Sequence, residues 1–202
     1  MVRNWGLEAQ RDPYRRRAKL EGYRSRAAYK LIEADKKFRL IKRGDIVVEL
    51  GAWPGGMAQV AAQLVGPEGL VIAVDVREFK KFQEPNIITL KADILRDDIV
   101  EDIFKITKGK GVELLISDAS PTFTGIRELD IQRQLELTER ALEISLSLVK
   151  TGGSVMLKSF ESNELRILER ELKKNFNIVT RFIPSATRKT SSELYLIGRG
   201  KI

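Results

Sequence analysis

The residues best suited to chemistry are a glycine-rich turn and four acidic side chains at or just after the carboxyl ends of predicted strands. Gly51, Gly55 and Gly56 separate an apolar run from a helical segment, where glycine lets the backbone approach a ligand and the helix N-terminus offers free N–H groups. An acid at such a strand end can accept hydrogen bonds from ribose hydroxyls. The spacing therefore predicts a ligand that carries a nucleoside. The four acids are Glu49, Asp75, Asp93 and Asp118.

These residues need a sheet whose strands end at a common edge. Short β-branched runs alternate with helical segments, which is typical of a parallel, doubly wound α/β sheet. A polar loop at 185–190, with no helix beside it, predicts that the last strand runs antiparallel to its neighbour. The predicted strands are 46–50, 70–75, 87–91, 112–117, 153–158, 177–183 and 193–198, and the predicted helices are 56–65, 97–107, 128–149 and 163–175.

Composition excludes several classes of site. The 202 residues include no cysteine and no histidine, which rules out disulfides, zinc fingers, iron–sulfur ligation, cysteine nucleophiles and Ser-His-Asp triads. Catalysis must use Asp, Glu, Lys, Tyr, backbone amides or a cofactor, and no metal site is predicted. Trp53 replaces the second glycine of the dinucleotide motif, and no Gly-Lys-Ser/Thr follows the turn, so neither the dinucleotide nor the P-loop signature is present.

Positive charge is concentrated at the start of the chain. Residues 1–43 hold 14 Lys/Arg and 5 Asp/Glu, whereas residues 44–202 hold 22 and 23. Cations interleaved with aromatic rings favour a nucleic-acid surface over a solvated helix or a membrane patch. We therefore predict a basic RNA-binding extension at 1–43 and a core at 44–202, within one compact domain. The candidate contacts include Arg11, Arg15, Arg16, Arg17, Arg24 and Arg26, with Trp5, Tyr14, Tyr23 and Tyr29 between them.

Two helices are predicted within this basic segment. Asp12 and Pro13 open a short helix that Gly22 closes. Ser25 is predicted to cap a second helix that ends at about Phe38.

Four motifs make a family resemblance specific. The turn at 51–56, together with Asp75 and Asp93, resembles the cofactor site of class I S-adenosylmethionine-dependent methyltransferases. More narrowly, the chain resembles the FtsJ/RrmJ family of ribose 2′-O-methyltransferases from about residue 11 to its end. The resemblance implies a Rossmann-like fold with a seven-stranded, mostly parallel sheet. The further matching segments are 20–31, 117–121, 152–158 and 191–195.

The resemblance also implies roles for individual residues. It places the family's catalytic Lys-Asp-Lys-Glu tetrad on Lys30, Asp118, Lys158 and Glu193. It places contacts to S-adenosylmethionine on Gly51, Gly55, Gly56, Met57, Asp75, Asp93 and Asp118. Trp53, Met57 and the segment 159–161 depart from the common family pattern, although the tetrad is complete.

These side chains suit transfer of a methyl group to a ribose hydroxyl. The methyl sulfonium is a strong electrophile, so the protein must mainly align the reactants and remove one proton. Because histidine is absent, Lys158 is the candidate base. Structural explanations exist for each residue alone: a phosphate contact for Lys30, a snorkelling side chain for Lys158 and an edge-strand charge for Glu193.

Other functions remain open at this level. Residues 118–121 loosely resemble the Asp-Pro-Pro-Tyr signature of enzymes that methylate exocyclic amines, and a non-catalytic binder of ribosomal RNA could keep the same fold. A transfer RNA substrate is a further alternative, and a dehydrogenase is disfavoured by the missing glycine motif. The resemblance favours a uridine of large-subunit ribosomal RNA, free or in the assembling subunit. We also predict that the protein acts as a monomer in the cytoplasm. No membrane partner is predicted, because no apolar run nears the length of a membrane helix.

Overall fold

Strands and helices alternate along the chain as the sequence predicts. The computed structural model describes residues 12–188 and 191–202, so Trp5 and Arg11 of the basic segment and residues 189–190 of the polar loop lie outside the described residues. The helices are α1 (Pro13–Leu20), α2 (Ala27–Phe38), α3 (Gly56–Val65), α4 (Ile99–Thr107), α5 (Arg127–Leu148) and α6 (Leu165–Asn175). The strands are β1 (Ile46–Leu50), β2 (Leu70–Asp75), β3 (Ile87–Lys91), β4 (Val112–Ser117), β5 (Val149–Phe160), β6 (Phe176–Phe182) and β7 (Glu193–Lys201).

Within the described residues, seven strands form one sheet in the order β3-β2-β1-β4-β5-β7-β6. The pairs from β3 across to β5 are parallel, whereas β7 runs antiparallel to both β5 and β6. The strand order reverses between β1 and β4, where Leu50 lies beside Ser117, and loops that leave in opposite directions open a crevice there. The predicted doubly wound fold and its antiparallel last strand are confirmed.

Apolar side chains cover both faces of the sheet because successive residues of a strand point to opposite sides. In β1, Val47 packs with the cluster that includes helices α2 and α3, whereas Val48 packs with the cluster that includes α4, α5 and α6. Helix α2 therefore belongs to the packing of the core, although it lies within the predicted extension 1–43. No helix of the described residues has both the length and the apolarity needed to cross a membrane.

The two N-terminal helices begin in different ways. Asp12 caps α1 by accepting from the backbone N–H groups of Tyr14 and Arg15, and Pro13 occupies the first turn, as predicted. The prediction that Ser25 caps α2 is wrong. Arg26 occupies the cap position without a side-chain hydrogen bond, and the Ser25 hydroxyl is buried without a partner among the described residues.

Strand β5 is longer than its sequence pattern indicates. It begins at Val149, four residues before the predicted start, and a shift of register between Val112 and Leu114 accommodates the extra residues. The segment 150–153 is polar and glycine-containing, so it lacks the apolar run that marks a buried strand. Backbone hydrogen bonding determines the pairing there.

Candidate active site

A cavity of about 760 Å³ opens at the carboxyl ends of β1, β2 and β4, a volume that suits a small-molecule ligand. Its wall combines carboxylates, the backbone of the glycine turn and the amine of Lys158, which fits a ligand with ribose hydroxyls and a positive centre. Of the predicted site residues, the cavity wall includes Gly51, Asp75, Asp93, Asp118 and Lys158.

Gly51 brings the glycine turn against the loop that follows β4. Its φ is +71°, and a Cβ at this position would lie 2.5 Å from the backbone nitrogen of Ala119. The neighbouring backbones are joined directly, because Asp118 N–H donates to Leu50 O at 3.0 Å. Only glycine combines this conformation with this approach.

We expect Gly51→Ala to lower the free energy of unfolding by about 2–4 kcal/mol, because a left-handed alanine is strained and its methyl group meets backbone. Gly109→Ala is the matched control, since its φ is +76° but nothing lies within 4 Å of the added Cβ. Urea denaturation of both variants measures the difference. Equal losses would show that the approach to Ala119 contributes nothing.

Three of the predicted cofactor residues lie outside the cavity wall. Gly55 is the N-cap residue of α3 with φ +110°, and a Cβ there would collide with the ring of Phe82. Gly56 has no room for a side chain beside Ser25, and Met57 is fully buried in the core. These residues shape the turn, and their contact with a cofactor stays a prediction.

Asp75 is held in place by Trp53 and Arg77. One carboxylate oxygen accepts from the backbone N–H and Nε of Arg77, both at 2.9 Å, and the other accepts from Trp53 N–H at 3.0 Å and Arg77 Nη2 at 3.2 Å. Burial alone would raise the pKa of Asp75, but the hydrogen bonds from Arg77 outweigh it and hold the pKa below its ordinary value. Arg77 also stacks on the indole of Trp53, and sequence reasoning did not assign it a role.

The remaining strand-end acids differ in setting. Asp93 lines the cavity and accepts from Leu95 N–H at 2.9 Å. Glu49 is buried away from the cavity wall, and burial, together with the nearby charges of Asp118 and Asp75, raises its pKa well above the ordinary value. Burial therefore favours the neutral form of the Glu49 side chain.

The structure brings the four predicted catalytic side chains together, and two of them, Asp118 and Lys158, line the cavity. Lys30 Nζ on α2 lies 2.7 Å from a carboxylate oxygen of Glu193 and 3.7 Å from Asp118 Oδ1. Lys158 Nζ lies 3.3 Å from the same Asp118 oxygen. The two amines therefore share one carboxylate, although they are 128 positions apart in the sequence.

Lys158 is fixed at the end of β5 from several directions. Its Nζ donates to the backbone oxygen of Asp118 at 2.6 Å and to the hydroxyl of Ser120. Helix α5 holds the strand end, because Thr138 Oγ1 donates to the Lys158 backbone oxygen at 2.8 Å. The amine is thus buried, oriented and next to the cavity.

Tyr195 connects these groups, and sequence reasoning gave it no role. Its hydroxyl accepts from Lys30 Nζ at 3.0 Å and donates to Asp118 Oδ1 at 2.6 Å. Burial, followed by the charges of Asp118 and Glu193, raises the pKa of Tyr195 well above its ordinary value, so the phenol stays protonated. The feature that could have identified Tyr195 is its position opposite Lys158 on the neighbouring antiparallel strand.

Asp118 is the negative centre of this cluster. Burial alone would raise the pKa of Asp118, but the charges of Lys158 and Lys30 and the hydrogen bond from Tyr195 outweigh it. The pKa therefore lies below its ordinary value, and the carboxylate is ionised at neutral pH.

The predicted RNA-binding arginines fall into two groups. Arg15, Arg16 and Arg17 are exposed on α1, and Arg17 pairs with Glu21 at 2.6 Å. The other two, Arg24 and Arg26, are only partly exposed.

Arg24 and Arg26 bind the protein itself. Arg24 donates to the backbone oxygens of Lys80 and Lys81 at 2.7 and 2.6 Å, and its guanidinium lies over the ring of Phe82. Arg26 pairs with Asp12 and donates to the backbone oxygen of Ala186. Both side chains tether the basic segment to the core.

Comparison of the sequence with other proteins identifies methyltransferases as its relatives. The sequence profile of FtsJ-like methyltransferases matches residues 23–201. The ribosomal RNA large subunit methyltransferase E of Methanobrevibacter smithii is 41% identical over 98% of this chain and 94% of its own length. The protein of the same name from Acinetobacter baylyi is 37% identical over 98% of this chain and 91% of its own length.

Solved structures agree on the fold. A ribosomal RNA methyltransferase from Plasmodium falciparum superimposes with a TM-score of 0.80 and 26% identity, covering 89% of this chain and 98% of that one. Fibrillarin from Aeropyrum pernix, whose crystal structure contains S-adenosyl-L-methionine, superimposes with a TM-score of 0.52 over 79% of this chain and 68% of its own. At 13% identity, this second likeness concerns the fold alone.

Proposed function

The chain belongs to the family of FtsJ-like methyltransferases, and from that premise we propose that it methylates the ribose 2′-hydroxyl of a uridine in large-subunit ribosomal RNA. Its cofactor is S-adenosylmethionine. The observation that carries the proposal is the cluster of Lys30, Asp118, Lys158 and Glu193 at the cofactor cavity, in a chain about 40% identical to ribosomal RNA large subunit methyltransferases. We also propose that the protein acts as a monomer in the cytoplasm.

The cavity fits the cofactor by its chemistry. Asp75 and Asp93 offer carboxylates to ribose hydroxyls and polar groups, and Asp118 brings a negative charge toward a sulfonium. When bound, the cofactor supplies an electrophilic methyl group. In this proposal Asp75 exchanges hydrogen bonds from Arg77 for bonds to the ligand, since all its accepting positions are filled in the structure.

Lys158 is proposed to remove the proton of the ribose hydroxyl. Its neutral amine would accept that proton at Nζ, and the carboxylate of Asp118 and the hydroxyl of Ser120 would then accept hydrogen bonds from the ammonium ion that forms. These acceptors already orient Nζ, so no rearrangement is needed to stabilise the product of proton transfer.

Lys30 is proposed to stabilise negative charge on the reacting oxygen. Its Nζ is held by Glu193 and by the hydroxyl of Tyr195 in a buried setting, where a positive charge acts more strongly than in water. Tyr195 acts through both neighbours, because its protonated hydroxyl joins Lys30 to Asp118.

The test is methyl transfer from labelled S-adenosylmethionine to large-subunit RNA, or to large subunits, that lack the modification. Digestion followed by separation of the nucleosides identifies the product, and 2′-O-methyluridine is the expected result. Label on a base amine would assign the reaction to amine methylation. Cofactor binding without label on ribosomal or transfer RNA would support a non-catalytic RNA binder.

Residues 1–43 are proposed to hold the RNA, with α1 as the contact surface. Replacing Arg15 and Arg16 together by alanine should lower RNA affinity about tenfold at low salt and reduce the slope of log affinity against log salt by about 1–2, since each phosphate contact contributes about 0.7–0.9 to that slope. Cofactor affinity should be unchanged. Filter binding of the unmodified large-subunit RNA at several salt concentrations measures the RNA affinity and its dependence on salt.

A double substitution of Arg166 and Lys173 by alanine on α6 is the matched control, because it removes two exposed cations from the opposite face of the sheet. Arg26→Ala should instead reduce stability, since its side chain binds Asp12 and Ala186. An RNA-binding surface on α1 would be contradicted if the α6 variant reduced the salt slope of RNA binding equally. It would also be contradicted if the α1 variant lost cofactor affinity.

A further inference from the structure

An exposed aromatic ring lies in the loop whose first residues line the cofactor cavity. The cavity wall follows the loop after β4 as far as Thr122, and the next residue, Phe123, is 61% exposed. Its ring is stacked with that of Phe160, with centroids 6.1 Å apart and planes inclined by 28°. Phe160 is buried, so Phe123 presents its remaining face to solvent with an aromatic support behind it.

The loop that carries Phe123 is held by α5. The carboxylate of Asp130 accepts from the backbone N–H and hydroxyl of Thr124 at 2.7 and 2.8 Å and from Gly125 N–H at 3.2 Å. Arg133 donates to the backbone oxygen of Thr122 at 3.3 Å. These bonds fix the backbone on both sides of Phe123, so the ring is presented by an anchored loop.

The stacked rings lie beside the proposed reacting groups. Phe160 follows Lys158 by two residues in β5, and alternation along a strand places their side chains on the same face. Phe160 also pairs in register with Glu193 of β7. On the other side of the stack, Ser120 contacts Lys158 Nζ three residues before Phe123.

We propose that Phe123, supported by Phe160, is a stacking platform for an unpaired nucleobase of the RNA, at or next to the nucleotide whose ribose is methylated. This inference rests on the proposed function. Every base has a π face, and proteins commonly bind single-stranded RNA by stacking bases on aromatic side chains. Fixing a base here would hold its ribose near Lys158 and the cavity, which is the alignment that methyl transfer requires.

The test compares Phe123→Ala, Phe123→Leu and Phe123→Trp with the wild type, using unmodified large-subunit RNA as the probe. Loss of the ring should raise the KM for RNA about tenfold or more in the Ala and Leu variants, whereas Trp should remain within about twofold of the wild type. Affinity for S-adenosylhomocysteine should stay unchanged in all three. Ile167→Ala is the control, because Ile167 is a similarly exposed apolar residue, 58% exposed, on α6.

A second readout does not depend on turnover. RNA should quench the fluorescence of the Phe123→Trp variant beyond the quenching seen with wild-type Trp5 and Trp53, because a stacked base contacts the new indole directly. An unchanged KM in Phe123→Ala, a wild-type KM in Phe123→Leu, or self-association through Phe123 without an effect on RNA would overturn the proposal. If wild-type protein labels no ribose, the proposed function fails, while the quenching still tests the platform.

Discussion

Lys158→Arg should lower the rate of methyl transfer by about 10²–10⁴-fold while cofactor affinity stays within about twofold of the wild type. Arginine retains the positive charge that pairs with Asp118, but it does not release its proton at accessible pH and so cannot accept one from a ribose hydroxyl. The substitution therefore separates proton transfer from charge. Single-turnover rates with saturating RNA measure the effect, and titration with S-adenosylhomocysteine measures the affinity.

Lys150→Arg is the matched control for this prediction. Lys150 lies in the same strand and pairs with Glu113, but it is exposed and lies outside the cavity wall. Its substitution should leave the rate within about twofold of the wild type. Wild-type rates in Lys158→Arg would remove Lys158 as the base, whereas lost cofactor affinity would make it a binding residue.

Most of the fold was predictable because buried parallel strands appear as short apolar runs. The limits of β1, β2, β3 and β4 match the prediction, since turn residues bound each run. The start of β5 was not predictable, because residues 150–153 are polar. Serine is a favoured helix N-cap residue, but Ser25 packs against Gly56 instead. Local pattern thus predicts the elements, while tertiary packing decides their ends.

The candidate site was predictable where a motif places a side chain at a strand end. Asp75, Asp93 and Asp118 lie at or just after the carboxyl ends of strands that meet at one edge. Tyr195 and Arg77 were not identified, because their roles depend on contacts that the local pattern does not encode. The hydroxyl of Tyr195, for example, joins groups from α2 and the end of β4.

The same limit applies to the basic segment. Composition groups Arg24 and Arg26 with the exposed arginines of α1, but Arg26 binds the backbone oxygen of Ala186, 160 residues away. A positive charge count therefore overstates the surface that is free to meet RNA. Of the candidate arginines among the described residues, Arg15, Arg16 and Arg17 on α1 are exposed, and the proposed contact surface is built on them.

Asp118→Asn should lower the free energy of unfolding by about 3–5 kcal/mol at neutral pH and reduce methyl transfer to background. The substitution removes the carboxylate that Lys158 and Lys30 share and leaves the two buried amines without its negative charge. Lys30 keeps Glu193 as a partner, so the loss falls mainly on Lys158.

The pH dependence of this stability difference follows from the depressed pKa of Asp118. Because the pKa in the folded state lies below its ordinary value, the unfolded chain binds the proton more readily as the pH falls. The stabilisation is therefore fully present above the ordinary pKa of about 4 and is lost below it. The gap between wild type and Asp118→Asn should be constant from pH 6 to pH 8 and should narrow below about pH 4.

Urea denaturation at about pH 7, 5 and 3 measures this gap. Asp98→Asn is the matched control, because an arginine also lowers the pKa of Asp98, yet its side chain is exposed and lies outside the cavity. It should show a much smaller gap at every pH, since an exposed ion pair is screened by solvent. The difference in free energy of unfolding between wild type and Asp118→Asn could also persist unchanged at pH 3. That result would mean that the packing of Asp118, and not the negative charge it shares between Lys30 and Lys158, stabilises the fold.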